Sequence, residues 1–239
     1  MEDRPCVYKR ALIKLSGEAL GGDGGIFDDA KLKSICRQLK RVHDAGVETA
    51  IVIGAGNIWR GARQGGLGID RVRGDHMGML ATLINSLALE DYLIKCGVDT
   101  VVMSAIPMSQ ICPEYSQYEA DAALRAGKAV IIACGVGYPF FSTDTGMVLR
   151  AAELGADIVL SAKSVDYVYD KDPKLFPDAR KYERLTYSEL MARELKAIDG
   201  AAGALARENG LKIMLFSLSD PENIYRAAVG EQVGTLLEN

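Results

Sequence analysis

At 239 residues, 49% hydrophobic and 25% charged, the chain is long enough for one large α/β domain or two small ones around a proper core. A net charge of −4 argues against broad nucleic-acid or anionic-membrane binding, so any anion site must be built locally. Five cysteines without a C-x-x-C pair and only two histidines exclude a disulfide scaffold, a zinc centre and a His-dependent hydrolase.

Taken in chain order, "ALIKLSG" (11–17) reads as a first strand, after an apolar start too short for a secretory signal. A helix follows Asp28 and Asp29, with Leu32, Ile35, Leu39 and Val42 on one face and Gly46 closing it. "ETAIVIGAG" (48–56) is a second strand that opens into glycine. Residues 78–95 continue as a helix through Met79, Leu80, Leu83, Leu87 and Tyr92. "DTVVMSA" (99–105) and "AVIIACGVG" (129–137) are strands, and Ser142-Thr143-Asp144 cap the helix "TGMVLRAAELG". "ADIVLSAKS" (156–164) is the next strand; "TYSELMAREL" opens with the capping box Thr186-x-x-Glu189. "LKIMLFS" (211–217) is a strand, and "SDPENIYRAAVG" sets Pro221 just inside a helix start.

The apolar runs are continuous rather than alternating, which suits strands buried on both faces of a parallel sheet. Strand and helix alternate with no linker or repeat, so a doubly wound α/β fold is expected, with residues 1–239 as a single domain. No stretch of about 18 apolar residues is expected to cross a membrane, and the expected location is the cytoplasm. In such sheets ligands sit beyond the carboxyl ends of the strands, so the residues just after each apolar run are the candidates.

"IVIGAGNIWRG" carries Gly54-x-Gly56, but Trp59 and Arg60 stand where a dinucleotide fingerprint needs its third glycine, and no acidic partner follows at the required spacing. A Walker A loop is absent from the chain. Four strand-end loops instead carry phosphate-binding chemistry. Lys14-Leu15-Ser16-Gly17 places a lysine inside a buried strand, which is costly unless it meets a negative partner. Gly54 to Arg60 offers bare backbone and a cation. Gly135 to Thr145 combines glycines, the aromatic run Tyr138-Pro139-Phe140-Phe141 and a helix start. Lys163 to Pro173 adds a lysine, tyrosines and aspartates. Each loop alone has a plain structural explanation as a turn, a cap or a solvated face. Together they point to one polyanionic site: a phosphoryl-transfer or polyphosphate-binding protein without a P-loop.

Those loops together resemble the amino-acid-kinase superfamily, and within it the bacterial uridylate (UMP) kinases. "YKRALIKLSGEAL", "VIGAGNIWRGA", "RVRGDHMGMLATLINSLAL", "SAIPM", "PFFSTDT" and "VDYVYDKDP" occur in that family's order and spacing over nearly the whole chain. The resemblance implies a three-layer αβα sandwich around a mainly parallel sheet, and transfer of the ATP γ-phosphoryl group to UMP. It implies catalytic roles for Lys14, Arg60 and Asp144. ATP contacts are implied for Lys14, Leu15, Ser16, Gly17, Gly56, Arg60, Lys163, Tyr169 and Asp172. UMP contacts are implied for Ala55, Asp75, and Val136, Gly137, Tyr138, Pro139, Phe140, Phe141, Ser142 and Thr143. Gly22, Asp23, Gly24, Gly25, Ile26 and Phe27 occupy the segment tied in the family to GTP activation, and Lys196 and Asp199 match a helix-start segment near the site. Mg²⁺ is implied as the companion of ATP, with no dedicated metal cage; GTP and UTP are implied as effectors, and a homohexamer as the assembly. The family often has asparagine where Tyr138 stands, threonine at Val136 and glycine at Tyr167. An acetylglutamate- or carbamate-type kinase and a non-catalytic nucleotide sensor are the alternatives; "GDHMGM" and "PFFSTD" favour the uridylate kinase reading.

Overall fold

A computed structural model describes residues 5–22, 25–59, 68–195 and 197–239. The chain runs β1 (Arg10–Leu15), α1 (Asp29–Asp44), β2 (Glu48–Ile53), α2 (Arg71–Lys95), β3 (Thr100–Ser104), α3 (Gln117–Arg125), β4 (Ala129–Ala133), α4 (Thr143–Leu154) and β5 (Ile158–Lys163). It continues through β6 (Val168–Tyr169), β7 (Lys181–Tyr182), β8 (Arg184–Thr186), α5 (Tyr187–Ala192), α6 (Gly200–Glu208), β9 (Ile213–Ser217), α7 (Asn223–Ala228) and β10 (Gly234–Glu238). The six expected strands are all present.

The main sheet has the order β3-β4-β2-β1-β5-β9-β10-β8, parallel throughout except where β10 pairs antiparallel with β9. Its strands are apolar on both faces because helices cover both. Ala11, Ile13 and Leu15 pack with α1, α2 and α7 in one core layer; Leu12 and Val52 pack with α3, α4, α5 and α6 in the other. This is the expected three-layer αβα sandwich. Side chains alternate along a strand, so Lys14 shares the face of Leu12 and points toward the α4 layer. β1 lies between β2 and β5, and the strand order reverses there. The crevice beyond the carboxyl end of β1 is therefore the topological switch point of the sheet.

Two boundaries differ from expectation. α2 begins at Arg71 rather than near 78, because the Asp70 carboxylate accepts the backbone N–H groups of Val72 and Arg73. That first turn carries arginines and Gly74 in place of an apolar stripe. Pro221 precedes α7 instead of opening it, since the preceding turn uses Asp220 as its acceptor for the Glu222 N–H. The strands β6, β7 and β8, of two or three residues, are too short for periodicity to reveal, and β10 is a further strand that the sequence reading did not include. An 18-residue window of α2 also reaches a mean hydropathy of 1.2, enough by length and composition to cross a membrane, with 44% of it buried. The polar residues inside this helix, including Asn85, Ser86 and Glu90, break the run that the sequence reading sought.

Candidate active site

The site is organised by one carboxylate and two lysines. Lys14 is buried near the end of β1, and its Nζ lies 3.2 Å from Asp144 Oδ1 in the first turn of α4. Lys163, the last residue of β5, donates from Nζ to Asp144 Oδ2 at 2.8 Å and also to the Ala197 carbonyl. The negative partner demanded by a lysine inside a buried strand is therefore Asp144. Burial works to raise the Asp144 carboxyl, but attraction to Lys14 and Lys163 outweighs it and holds the group below its ordinary range. For Lys163, burial lowers the ammonium pKa; Asp144 works against this without cancelling it. The three groups carry one net positive charge, held rigidly and largely out of water.

Asp144 is free for this role because it does not cap its own helix. Ser142 does: its Oγ accepts from the Asp144 and Thr145 N–H groups at 3.0 and 3.2 Å, and it donates to Asp199. Asp199 in turn accepts from Thr145 Oγ1 at 3.1 Å and from the Ala202 N–H at 2.9 Å, capping α6. The capping expected of Ser142-Thr143-Asp144 thus falls to Ser142 alone. The positive end of α4 opens on the crevice beside the two lysines, a geometry that favours anions.

Backbone supplies the remaining walls. Gly17 meets the β2 loop so closely that a Cβ there would lie 2.4 Å from the Gly54 carbonyl oxygen. After β4, Cys134 and Gly135 both have positive φ (63° and 58°), which turns the chain sharply back across the sheet end. Phe140 also has φ of 72°, and its N–H donates to Asp75 Oδ2 at 2.8 Å. The same Asp75 oxygen accepts from Arg71 Nε at 2.8 Å, so the aromatic loop is moored to the start of α2.

A cavity of about 570 Å³ lies between these loops. Of the residues singled out in the sequence, Lys14, Ser16, Gly17, Gly56 and Lys163 line it, together with Ala55, Asp75, Val136, Tyr138, Phe141, Ser142 and Thr143. A second cavity of about 510 Å³ adjoins it, lined by Asp144, Lys163 and Asp199 among others. Leu15 points into the core instead, fully buried. Gly137, Pro139 and Phe140 shape the loop without lining the cavity. Tyr169 and Asp172 are also off its wall: Tyr169 Oη donates to Asp166, and the Asp172 carboxylate accepts the Lys174 N–H at 2.9 Å. Gly22, Gly25, Ile26 and Phe27 lie beside the site at the far side of Asn57. Arg60, Asp23, Gly24 and Lys196 lie outside the described residues.

The amino acid kinase family model matches residues 9–217. A uridylate kinase of Xanthomonas oryzae pv. oryzae is 47% identical over 232 residues, 97% of each chain. The chain belongs to the amino acid kinase family, among its uridylate kinases. Crystal structures agree. The UMP kinase of Bacillus anthracis superposes with a TM-score of 0.93 at 39% identity, covering 98% of this chain and 97% of its own. That of Ureaplasma parvum gives 0.92 at 36% identity, with 97% and 99% covered.

Seen as a member of the uridylate kinases, the chain has cavity residues that the sequence reading passed over. Trp59, the single tryptophan of the chain, lines the cavity and lies against Gly74 and Gly78 of α2. Its odd place in a glycine fingerprint was the signal. Thr82 also lines the cavity and accepts the Cys134 N–H at 2.8 Å, fixing the left-handed turn. Its position in an apolar helix gave no sign of that, because the partner is 52 residues away.

Proposed function

We propose that the cavity holds UMP and ATP end to end and transfers the γ-phosphoryl group of ATP to UMP, giving ADP and UDP. Membership among the uridylate kinases supports the overall reaction, with ATP as donor. The observation that carries the mechanism is the Lys14–Asp144–Lys163 cluster at the switch point of the sheet. The UMP phosphate has a second pKa of about 6, so its oxygen is already an anionic nucleophile at neutral pH. That oxygen forms a bond to Pγ as the bond from Pγ to the β,γ-bridging oxygen breaks, and ADP leaves. No general base is needed. The work of the protein is to hold two polyanions in line against their mutual repulsion.

In this reading Lys14 and Lys163 neutralise charge on the transferring group, and Asp144 keeps the two ammonium groups apart and aimed. The Gly17 and Gly56 backbone faces the donor phosphates, with Ser16 beside it. Ala55, Asp75, the 136–143 loop and the start of α4 enclose UMP; Val136 and Tyr138 stand at the base, and Arg60 adds charge at the donor side. Tyr169 and Asp172 serve the nucleoside of ATP only if the 164–172 loop moves toward the cavity. Mg²⁺ enters on ATP as part of the substrate: among the described residues no cluster of three metal-ligating side chains exists, and Asp144 is already held by two lysines. The whole chain, 1–239, acts as a single domain in the cytoplasm, with GTP and UTP as effectors and the 22–27 segment serving GTP activation.

Turnover of Mg-ATP against UMP, CMP, dUMP, AMP, acetylglutamate and carbamate tests the assignment through ADP release. A strong preference for UMP is expected. Turnover of acetylglutamate, or of nothing, would sink it.

Copies of the chain are proposed to assemble as a homohexamer. Met77, Leu80 and Ile84 form an exposed apolar stripe along α2 at i, i+3, i+7 spacing, and this face fits a second copy. Light scattering on a Leu80→Glu, Ile84→Glu variant is expected to report a smaller species than wild type. An unchanged mass removes α2 from the interface.

A further inference from the structure

Two asparagines between the loops form a closed hydrogen-bonded unit that the mechanism above does not use. Asn57 follows β2, and Asn85 sits fully buried in the middle of α2. Asn57 Nδ2 donates to Asn85 Oδ1 at 3.0 Å, and Asn85 Nδ2 donates back to Asn57 Oδ1 at 2.8 Å. The remaining hydrogen of each amide points outward. That of Asn85 reaches the Gly54 carbonyl at 2.8 Å, and that of Asn57 reaches the Ile26 carbonyl at 2.7 Å.

All four amide hydrogens are therefore used, and both flanking acceptors are backbone carbonyls. Rotating either amide by half a turn would set oxygen against oxygen, so the pair has one orientation. A buried polar pair that is fully satisfied is rigid; one that loses a partner leaves an unpaired group in a low-dielectric interior. The Gly54 carbonyl held by Asn85 is the atom that Gly17 approaches most closely. A Cβ on Gly17 would also lie 2.6 Å from Asn57 Oδ1, so the amide pair sits flush against both phosphate loops.

We propose that Asn57 and Asn85 are positioning residues for phosphoryl transfer: their paired amides set the spacing of the Gly17 and Gly54–Gly56 backbones and join it to the chain at Ile26. This rests on the kinase reading of the cavity. Neither side chain touches the transferring group; each acts through the carbonyl it holds. A shift of the phosphate loops by about 1 Å is enough to cost orders of magnitude in rate, so the effect belongs in kcat rather than in substrate affinity. The segment ending at Ile26 and the Gly54 loop then loosen together, because one amide pair holds both.

Asn85→Asp keeps the shape and removes both donors from the buried amide. Asn57→Ala keeps the Asn85 bond to Gly54 and cuts the link to Ile26. Wild-type turnover of UMP is measured first, because its absence would refute the kinase reading alone. Steady-state kinetics and amide hydrogen exchange are then compared with wild type. Asn85→Asp is expected to lose about tenfold or more in kcat and Asn57→Ala about fivefold, with KM values within about threefold. Exchange is expected to speed up over both 25–28 and 54–58 in each variant. If Asn85→Asp does not fold, Asn57→Ala decides. Wild-type exchange over 25–28, or a kcat within about twofold of wild type in a folded Asn57→Ala, overturns the proposal. The exchange result stands whether or not UMP is the acceptor.

Discussion

Lys14→Ala is expected to lower kcat by about 10²–10³-fold while the protein stays folded, the scale seen when one preorganised donor to developing charge is removed. Lys14 shares the Leu12 face of β1 at its carboxyl end, and its ammonium is 3.2 Å from a carboxylate that keeps Lys163 as a second partner. Asp144 is therefore not left as an unpaired buried charge, and circular dichroism should change little. Near-normal turnover would remove Lys14 from the reaction. The companion variant, Asp144→Asn, removes the anion between two ammonium groups, and its signature is a pH profile. The Lys163 ammonium already deprotonates below the ordinary lysine range because it is buried, and Asp144 limits that fall. Activity that needs protonated Lys163 is lost as pH rises through this lowered pKa. Without the carboxylate the pKa falls further, so the alkaline limb of kcat should move to lower pH in Asp144→Asn. The acid side follows the opposite logic. Asp144 has its pKa depressed on folding, so its contribution to stability is complete above the unfolded carboxyl pKa and fades as pH falls through the folded one. A limb that stays put would show that Lys163 is not a group whose charge the reaction uses.

Gly17→Ala is expected to be nearly as damaging, for a reason that involves no charge. The added methyl would meet the Gly54 carbonyl at 2.4 Å and the Gly56 nitrogen at 2.8 Å, and both are backbone atoms that no rotamer change can move. One of the two loops must shift. Overpacking of this kind costs about 1–3 kcal/mol, and a displacement of about 1 Å can cost about 100-fold in rate. The expected result is a Tm a few degrees lower with a loss in kcat of about two orders of magnitude. Gly46→Ala makes the control: no atom lies within 4 Å of the added methyl, but φ is +85°, so it should lower Tm and leave kcat alone. A Gly17→Ala enzyme with wild-type kcat would show that the two loops do not need this approach.

Much of the sandwich was legible because its strands are buried on both faces and therefore read as uninterrupted apolar runs. The edge strand β8 was not, since three residues at a sheet margin are too few for any period to register, and β10 beside it passed unread although it is as long as β9. For the site, a lysine in a buried strand required an anion, and that much followed from solvation alone. Which aspartate answered could not follow from it, because Lys14 and Asp144 are brought together only by the packing of α4 on β1. Asp144 reads in sequence as one of three adjacent capping residues; the structure gives the cap to Ser142 and releases Asp144 for the lysines. The placements of Tyr169 and Asp172 came from resemblance, and neither reaches the cavity in this conformation. Asn57 and Asn85 were invisible for the reason that makes them informative: an amide in a turn or inside an apolar helix means nothing until its partners are known.

The central place of β1 in the sheet also has a bearing on synthesis. β1 emerges from the ribosome well before β5, yet one of its two edges is paired through Ala11 with Ile158 of β5. At about 5–20 residues per second, that edge waits roughly seven to thirty seconds for its partner. Ala11, Leu12 and Ile13 would make the waiting edge adhesive, and charges are what natural sequences place beside such runs to discourage pairing with other chains. Arg10 and Lys14 are such charges, one at each end of the run. The lysine proposed to meet phosphate in the finished enzyme thus flanks the run whose partner strand is made last.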